Sequence, residues 1–360
     1  MKPQTKRIVQ LDGIRAVAIA SVFIHYAFHV PLLWMGVDLF FILSGFLITG
    51  VLVSGRDKKV GQYFGHFYER RARRILPPYL VLLIAVSLVF GLSSWVKHWY
   101  LYLFMMNVIL AKQLSQPDVM VILWSLAVEE QFYLIWPFAV KFLSERALGY
   151  TAATLLVVAP LLRWFCTPLF ANEWYIYALT PFRMDCLAAG ALLAILWRNK
   201  PALLERYGAY GLILPPVGLA VSMWFRHLGI STHGNSRVGN TFIYELTLLT
   251  CFGVMVWALS GKFVGVLRLK PLVYLGRISY TVYLMHLFFL KIGESHLHNR
   301  FAVAGFAAAA VVLFATVSWY AMERPLLEGR SRRRAAPQAE KLPAEEPAQE
   351  TTACPSDVAV

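Results

Sequence analysis

Residues 37–53 read Val37-Asp38-Leu39-Phe40-Phe41-Ile42-Leu43-Ser44-Gly45-Phe46-Leu47-Ile48-Thr49-Gly50-Val51-Leu52-Val53, and Asp38 is their one ionisable side chain. A helix needs about 20 predominantly apolar residues to cross the hydrocarbon core of a bilayer. Lipid offers the backbone no hydrogen-bond partners, so only helices and closed barrels can span it. This run lacks the alternation over about ten residues that marks a barrel strand. It is read as a membrane-spanning helix, and similar runs recur along the chain.

The composition agrees with that reading. Of 360 residues, 58% are hydrophobic and 15% charged. The net charge of +14 sits between apolar runs, where Lys and Arg report topology, and it is not interleaved with exposed aromatics as a nucleic-acid surface would be. Cys166, Cys186 and Cys251 lie in or beside apolar runs and Cys354 near the end, so neither a disulfide framework nor a zinc spacing is present and no metal is expected. Lys2, Lys6 and Arg7 precede the first run as in a signal peptide. That run contains Arg15, His25 and His29 and is read as a retained span.

The fold class is therefore an all-α polytopic membrane protein of about ten transmembrane helices. The first span runs from Arg15 to Leu33 and the second from Val37 to Val53, which returns to a basic loop holding Arg56, Lys58, Lys59 and the cluster Arg70-Arg71-Ala72-Arg73-Arg74. Pro77-Pro78 opens the third, which fades near Trp95. Residues 99–112 are apolar but short, and read as a re-entrant or interfacial helix. The fourth span starts near Trp124 and ends before Arg146; the others fall at about 150–170, 177–196, 209–225, 243–260, 278–294 and 301–320. The positive-inside pattern then puts both termini in the cytoplasm. A membrane domain over 1–327 is followed by a polar tail, 328–360, too poor in large apolar residues to fold and expected to be disordered; Arg330 to Arg334 in it would touch anionic lipid.

Ionisable groups inside a bilayer are costly and so are candidates for function. His25 falls near the middle of the first span, where a neutral imidazole can act as general base; the bland alternative is a histidine bonded to a neighbouring helix. Arg15 alone reads as a snorkelling side chain. Asp38 reads as a helix cap or a polar contact, and Ser44 and Gly45 as small-residue packing points. Glu129 and Glu130, in Trp124-Ser125-Leu126-Ala127-Val128-Glu129-Glu130, lie about a turn inside a span and toward its outer half, and successive residues point some 100° apart. Arg183 and Asp185 do not face each other on a helix, so each needs a partner elsewhere; Glu129 or Glu130 is the candidate for Arg183. His286 is a further mid-span histidine, read as structural. The Arg70–Arg74 cluster reads first as a topology-setting loop, and secondly as a phosphate site.

Taken together, the segments resemble the acyltransferase-3 family of bacterial membrane enzymes. The matching stretches are Leu11-Asp12-Gly13-Ile14-Arg15 with His25, Gly36 to Thr49, Arg71-x-x-Arg74-Ile75-x-Pro77, Trp124 to Pro137, Gly276-Arg277-Ile278-Ser279-Tyr280 with His286, and Glu323-Arg324-Pro325. The resemblance covers about residues 8–327. It implies a ten-helix O-acyltransferase of the bacterial inner membrane that takes an acyl group, usually acetyl from acetyl-CoA as cosubstrate, on the cytoplasmic side and delivers it to a hydroxyl of a glycan or lipid-linked sugar. No permanently bound cofactor is implied. By position, His25 resembles the catalytic histidine, Arg15 the arginine that works with it, Glu129 the acidic residue of the Trp-Ser-Leu motif, and Arg71 and Arg74 the pair that engages the donor's phosphates. Arg15 and His25 are ten positions apart here where the family pattern has eleven, which sets them about 80° apart around a straight helix. A kink or π-bulge would be needed to align them.

Two functions compete at this point. In an O-acyltransferase, His25 deprotonates the acceptor hydroxyl or carries the acyl group. In a secondary transporter for a glycan or small metabolite, the same buried charges form a substrate or proton path. No internal repeat and no paired broken helices favour the transporter, and release of coenzyme A by purified membranes separates the two. The oligomeric state is not written in the sequence.

Overall fold

The computed structural model describes residues 8–91 and 96–327. No strand occurs among them. In chain order the helices are α1 (Gln10–Phe28), α2 (Gly36–Ser54), α3 (Val60–Phe90), α4 (Met106–Ala111), α5 (Leu123–Phe142), α6 (Glu145–Cys166), α7 (Trp174–Ala178), α8 (Met184–Asn199), α9 (Pro201–Tyr207), α10 (Leu214–His227), α11 (Tyr244–Ser260), α12 (Lys270–His296) and α13 (Arg300–Ser318). Nine helical segments of the described residues are long and apolar enough to cross a membrane. α8, the helical part of the expected sixth span, has 16 residues, packs between α2 and α6, and is not among these nine.

α2 is the centre of the bundle. In Leu33–Ser54, 72% of the apolar window is buried inside the protein, against 22% for Glu145–Leu169 and 28% for Arg300–Leu327, whose outward residues Phe165, Phe301 and Leu313 are left for lipid. Lipid is as apolar as leucine, so helices associate there through close backbone approach and polar contacts. α2 and α8 achieve this at Gly45 and Gly190: a Cβ on Gly190 would lie 1.9 Å from the Ile42 carbonyl oxygen, and one on Gly45 2.0 Å from that of Leu187. α1 and α12 meet in the same way, with a Cβ on Gly276 reaching 1.8 Å from Asp12 O. Gly45 is thus the packing point expected of it; Ser44 has another use.

Several sequence boundaries are corrected. Pro77 and Pro78 do not open the third span but lie inside α3, which starts at Val60 and carries Arg70–Arg74 on a helix rather than a loop. The two prolines cost α3 hydrogen bonds to the carbonyls of Arg73 and Arg74, yet the helix runs through them. The expected end near Trp95 lies outside the described residues; α3 stops at Phe90, before Gly91 at φ 68°. The sixth span begins only at Met184, because α7 and a 3-10 turn at Thr180–Phe182 occupy its first part. Residues 99–112 form no crossing: a 3-10 segment and the six-residue α4 are tied to the bundle by Tyr79 OH donating to Leu101 O (2.8 Å) and Gln131 Nε2 donating to Phe104 O (3.1 Å). The tail from Glu328 lies outside the described residues.

Candidate active site

On the basic face of the bundle, α3 rises beside α5, with Tyr63 OH donating to Pro137 O (3.3 Å) and Tyr68 OH to Leu134 O (3.2 Å). Arg71 and Arg74, three residues apart, share a face of α3. The Arg71 guanidinium lies 4.8 Å from the centre of the Tyr133 ring, and Arg74 is within electrostatic range of Arg15, Arg71 and Glu323. Arg15 does not snorkel; its Nη1 donates to Asp12 Oδ1 (2.9 Å). Glu129 joins this group rather than an outer one. Ser44 Oγ donates to Glu129 Oε1 (2.7 Å), Tyr133 OH donates to Oε2 (3.1 Å), and Arg71 and Arg74 supply the positive field. Glu130 lies within electrostatic range of Glu129 and Arg71, and its Oε1 is buried without a hydrogen-bond partner among the described residues. The expectation that the carboxylates sit apart from the arginines is therefore corrected. α3 carries the arginines up along α5 to meet Glu129.

His25 is not mid-span. It falls in the last turn of α1, three residues before Phe28 closes the helix and His29 adopts φ 52°. α1 is continuous, with neither kink nor π-bulge, so ten residues separate Arg15 and His25 by about 15 Å along the axis and the two side chains are not brought together. The ring is instead set by the turn that follows. His25 Nδ1 is 2.9 Å from Val30 O. A carbonyl only accepts, so Nδ1 donates, and the neutral ring keeps its lone pair on Nε2. His25 lines a cavity of about 290 Å³ at the ends of α1, α10 and α11 remote from the basic loops, together with His29, Trp34, Arg226, Ser231 and Thr232. His286 lies near His25, across Tyr26: its ring is 5.3 Å from that of Tyr26, its Nδ1 donates to Tyr283 O (2.6 Å), and its buried Nε2 has no hydrogen-bond partner among the described residues.

A second group of charges binds the helices around α2. Arg183 pairs with Asp38, not with Glu129 or Glu130, and Thr247 Oγ1 donates to the other oxygen of Asp38 (2.9 Å). Asp38 is fully buried and is not a helix cap. Five rings surround the Arg183 guanidinium, those of Trp34, Phe41, Trp124, Tyr177 and Tyr244, the last at 4.7 Å. Asp185, as expected, finds its partner elsewhere. Arg163 Nη2 donates to Asp185 Oδ2 (2.6 Å) and also pairs with Glu245, while Nη1 donates to Phe182 O (2.5 Å). Arg163 and Glu245 were not singled out from the sequence. Arg163 stands inside Leu161-Leu162-Arg163-Trp164-Phe165, and the rule that flagged Arg183 applies to it equally. Glu245 is less legible, since an acid in the first turn of a helix is ordinary.

The acyltransferase domain model matches residues 8–323. Among curated relatives, the O-acetyltransferase OatA of Staphylococcus aureus is 28% identical over 314 residues, which is 77% of this chain and 49% of the relative. The peptidoglycan O-acetyltransferase OatA of Listeria monocytogenes is 28% identical over 321 residues, 78% of this chain and 49% of the relative. The chain spans about half the length of the curated relatives it matches. No solved structure matches it. With the match running from the start of α1 to the turn after α13, the chain belongs to the acyltransferase-3 family.

Proposed function

We propose that this protein is a membrane O-acetyltransferase that uses acetyl-CoA from the cytoplasm and acylates a hydroxyl of a cell-envelope glycan, such as peptidoglycan, in the cavity at the outer ends of α1, α10 and α11. The single observation that carries this reading is the setting of His25, whose Nδ1 is held by Val30 O while the ring lines that cavity. Nε2 takes the acceptor's hydroxyl proton, the oxygen attacks the thioester carbonyl, the C–S bond breaks, and the thiolate leaves with the proton returned by the imidazolium. Arg71 and Arg74 hold the donor's phosphates, with Arg15 adding to the field. A donor gripped there has to reach His25 about 15 Å higher along α1, a task suited to the extended pantetheine arm of coenzyme A. Glu129 orients the arginines, and Tyr133 and Ser44 orient Glu129. The basic face is cytoplasmic, both termini included, and the membrane is the inner one.

The test is His25→Ala and His25→Gln in full-length protein in membranes, supplied with labelled acetyl-CoA. Both should lose at least about 100-fold in acceptor-dependent coenzyme A release, the usual worth of a general base. Turnover at the wild-type rate in either variant would remove His25 from the chemistry.

A further inference from the structure

The outer cavity is charged in one direction. Its lining includes His25, His29 and Arg226 and, among the described residues, no acidic one. Arg226 is half-buried, and among the described residues no carboxylate pairs with it. A cation in the last turn of α10 complements the helix dipole, and that alone would account for a basic residue there. It does not account for direction: the neighbouring His227 is the exposed one, packed beside Trp224 at 6.3 Å, whereas Arg226 turns into the cavity. A half-buried guanidinium that lines the same cavity as Trp34, with no carboxylate paired to it among the described residues, is placed to receive an incoming anion. Ser231, Thr232 and Trp34 line the same space. At about 290 Å³ the cavity is at the small end of ligand pockets. It suits a sugar residue, not a protein surface.

We infer that the cavity is an acceptor subsite selective for a negatively charged sugar, whose carboxylate or phosphate pairs with Arg226 while its hydroxyl meets His25. The inference rests on the proposed role of His25 toward the acceptor. Arg226 is then a specificity residue: a planar fork binds a carboxylate or phosphate through two parallel hydrogen bonds, which lysine cannot reproduce.

The experiment reads occupancy of the cavity without any acyl donor. Purified full-length protein in detergent is treated with diethyl pyrocarbonate, and modification of His25 is followed by mass spectrometry in the presence of glucuronic acid, galacturonic acid, N-acetylmuramic acid or glucose 6-phosphate. Glucose, galactose and N-acetylglucosamine serve as the neutral counterparts. At least one acidic sugar should protect His25 at about tenfold lower concentration than its neutral counterpart, a difference of about 1.4 kcal/mol. The advantage should vanish in Arg226→Gln, survive in part in Arg226→Lys, and shrink in high salt. The uronic acids and the sugar phosphate then tell carboxylate from phosphate. Equal protection by acidic and neutral sugars, no protection by any of them, or an acidic advantage that persists in Arg226→Gln overturns the inference. The wild-type comparison decides it even if a variant misfolds. Because no donor is present, this outcome is independent of coenzyme A release, and a failure of that release sinks the catalytic reading alone.

Discussion

Single side chains in this bundle fall into two kinds, those whose charges are matched and those held open. Asp38 and Arg183 are matched, both buried to about 1% exposure or less. Removing one member leaves the other charge stranded, so Asp38→Asn should destabilise the detergent-solubilised protein by about 3–5 kcal/mol, seen as a lower thermal midpoint. The double variant Asp38→Leu/Arg183→Met should recover most of that loss, because two apolar side chains leave no orphan charge. A midpoint as low as that of the single variant would mean that the pair does more than neutralise itself. Arg71 and Arg74 are the other kind, gathered with Arg15 into a positive field that Glu129 only partly offsets. Arg71→Gln and Arg74→Gln should each raise KM for acetyl-CoA by about tenfold, the effect of losing about 1.4 kcal/mol of binding. S-acetylpantetheine lacks the nucleotide phosphates and should be used equally well by the variants and the parent. Equal loss with both donors would place the arginines in a structural role.

At the level of helices, what decides the packing is how near two backbones come. The α2–α8 crossing leaves no space for a methyl group at Gly190, whose Cβ would press on the backbone oxygen of Ile42. Gly190→Ala should therefore cost about 1–3 kcal/mol of stability through enforced separation of the helices. Gly305, on α13, has nothing within 4 Å of a built Cβ. Gly305→Ala should be neutral or gain up to about 1 kcal/mol from helix propensity. Thermal unfolding of the two variants side by side checks both signs, and a Gly190→Ala protein as stable as its parent would show that α2 and α8 can slide. α3 teaches a related point. Pro77-Pro78 reads as a helix start because proline suits a first turn, but α3 continues through both residues, since its lower half is held against α5 by Tyr63 and Tyr68. Tertiary contacts overrode the local signal, and with it the reading of Arg70–Arg74 as a loop.

Across the whole molecule, the turn after α2, the start of α9 and the turn before α12 lie on one face, and the cavity of His25 on the other. The first face carries Arg56, Lys58, Lys59, Lys200, Lys262, Arg268 and Lys270, and the proposed orientation, which follows the positive-inside rule, keeps that side in the cytoplasm. With the native cysteines replaced by serine, Lys58→Cys should be closed to a membrane-impermeant maleimide in intact cells, and Arg237→Cys, exposed beside the outer cavity, should be labelled. The reverse pattern would turn the molecule over and take the arginines away from cytosolic acetyl-CoA.

Periodicity and charge alone determined the all-helical membrane fold, because the absence of water in the bilayer imposes long apolar runs that cannot be mistaken for anything else. They also marked Asp38, Glu129, Arg183 and Asp185 as unusual, since charge in such a run needs a reason. Partners were another matter. That Arg183 meets Asp38, 145 positions away, and that Glu129 is bonded by Ser44 within the field of the α3 arginines, depends on which faces of α2, α3, α5 and α8 turn toward one another. So does the position of His25, carried to the last turn of α1 by a helix that ends at Phe28 and a turn that supplies Val30 O. A one-dimensional pattern gives each residue's depth along its own helix, but the rotation of that helix and the chain that faces it are decided only when the bundle is packed.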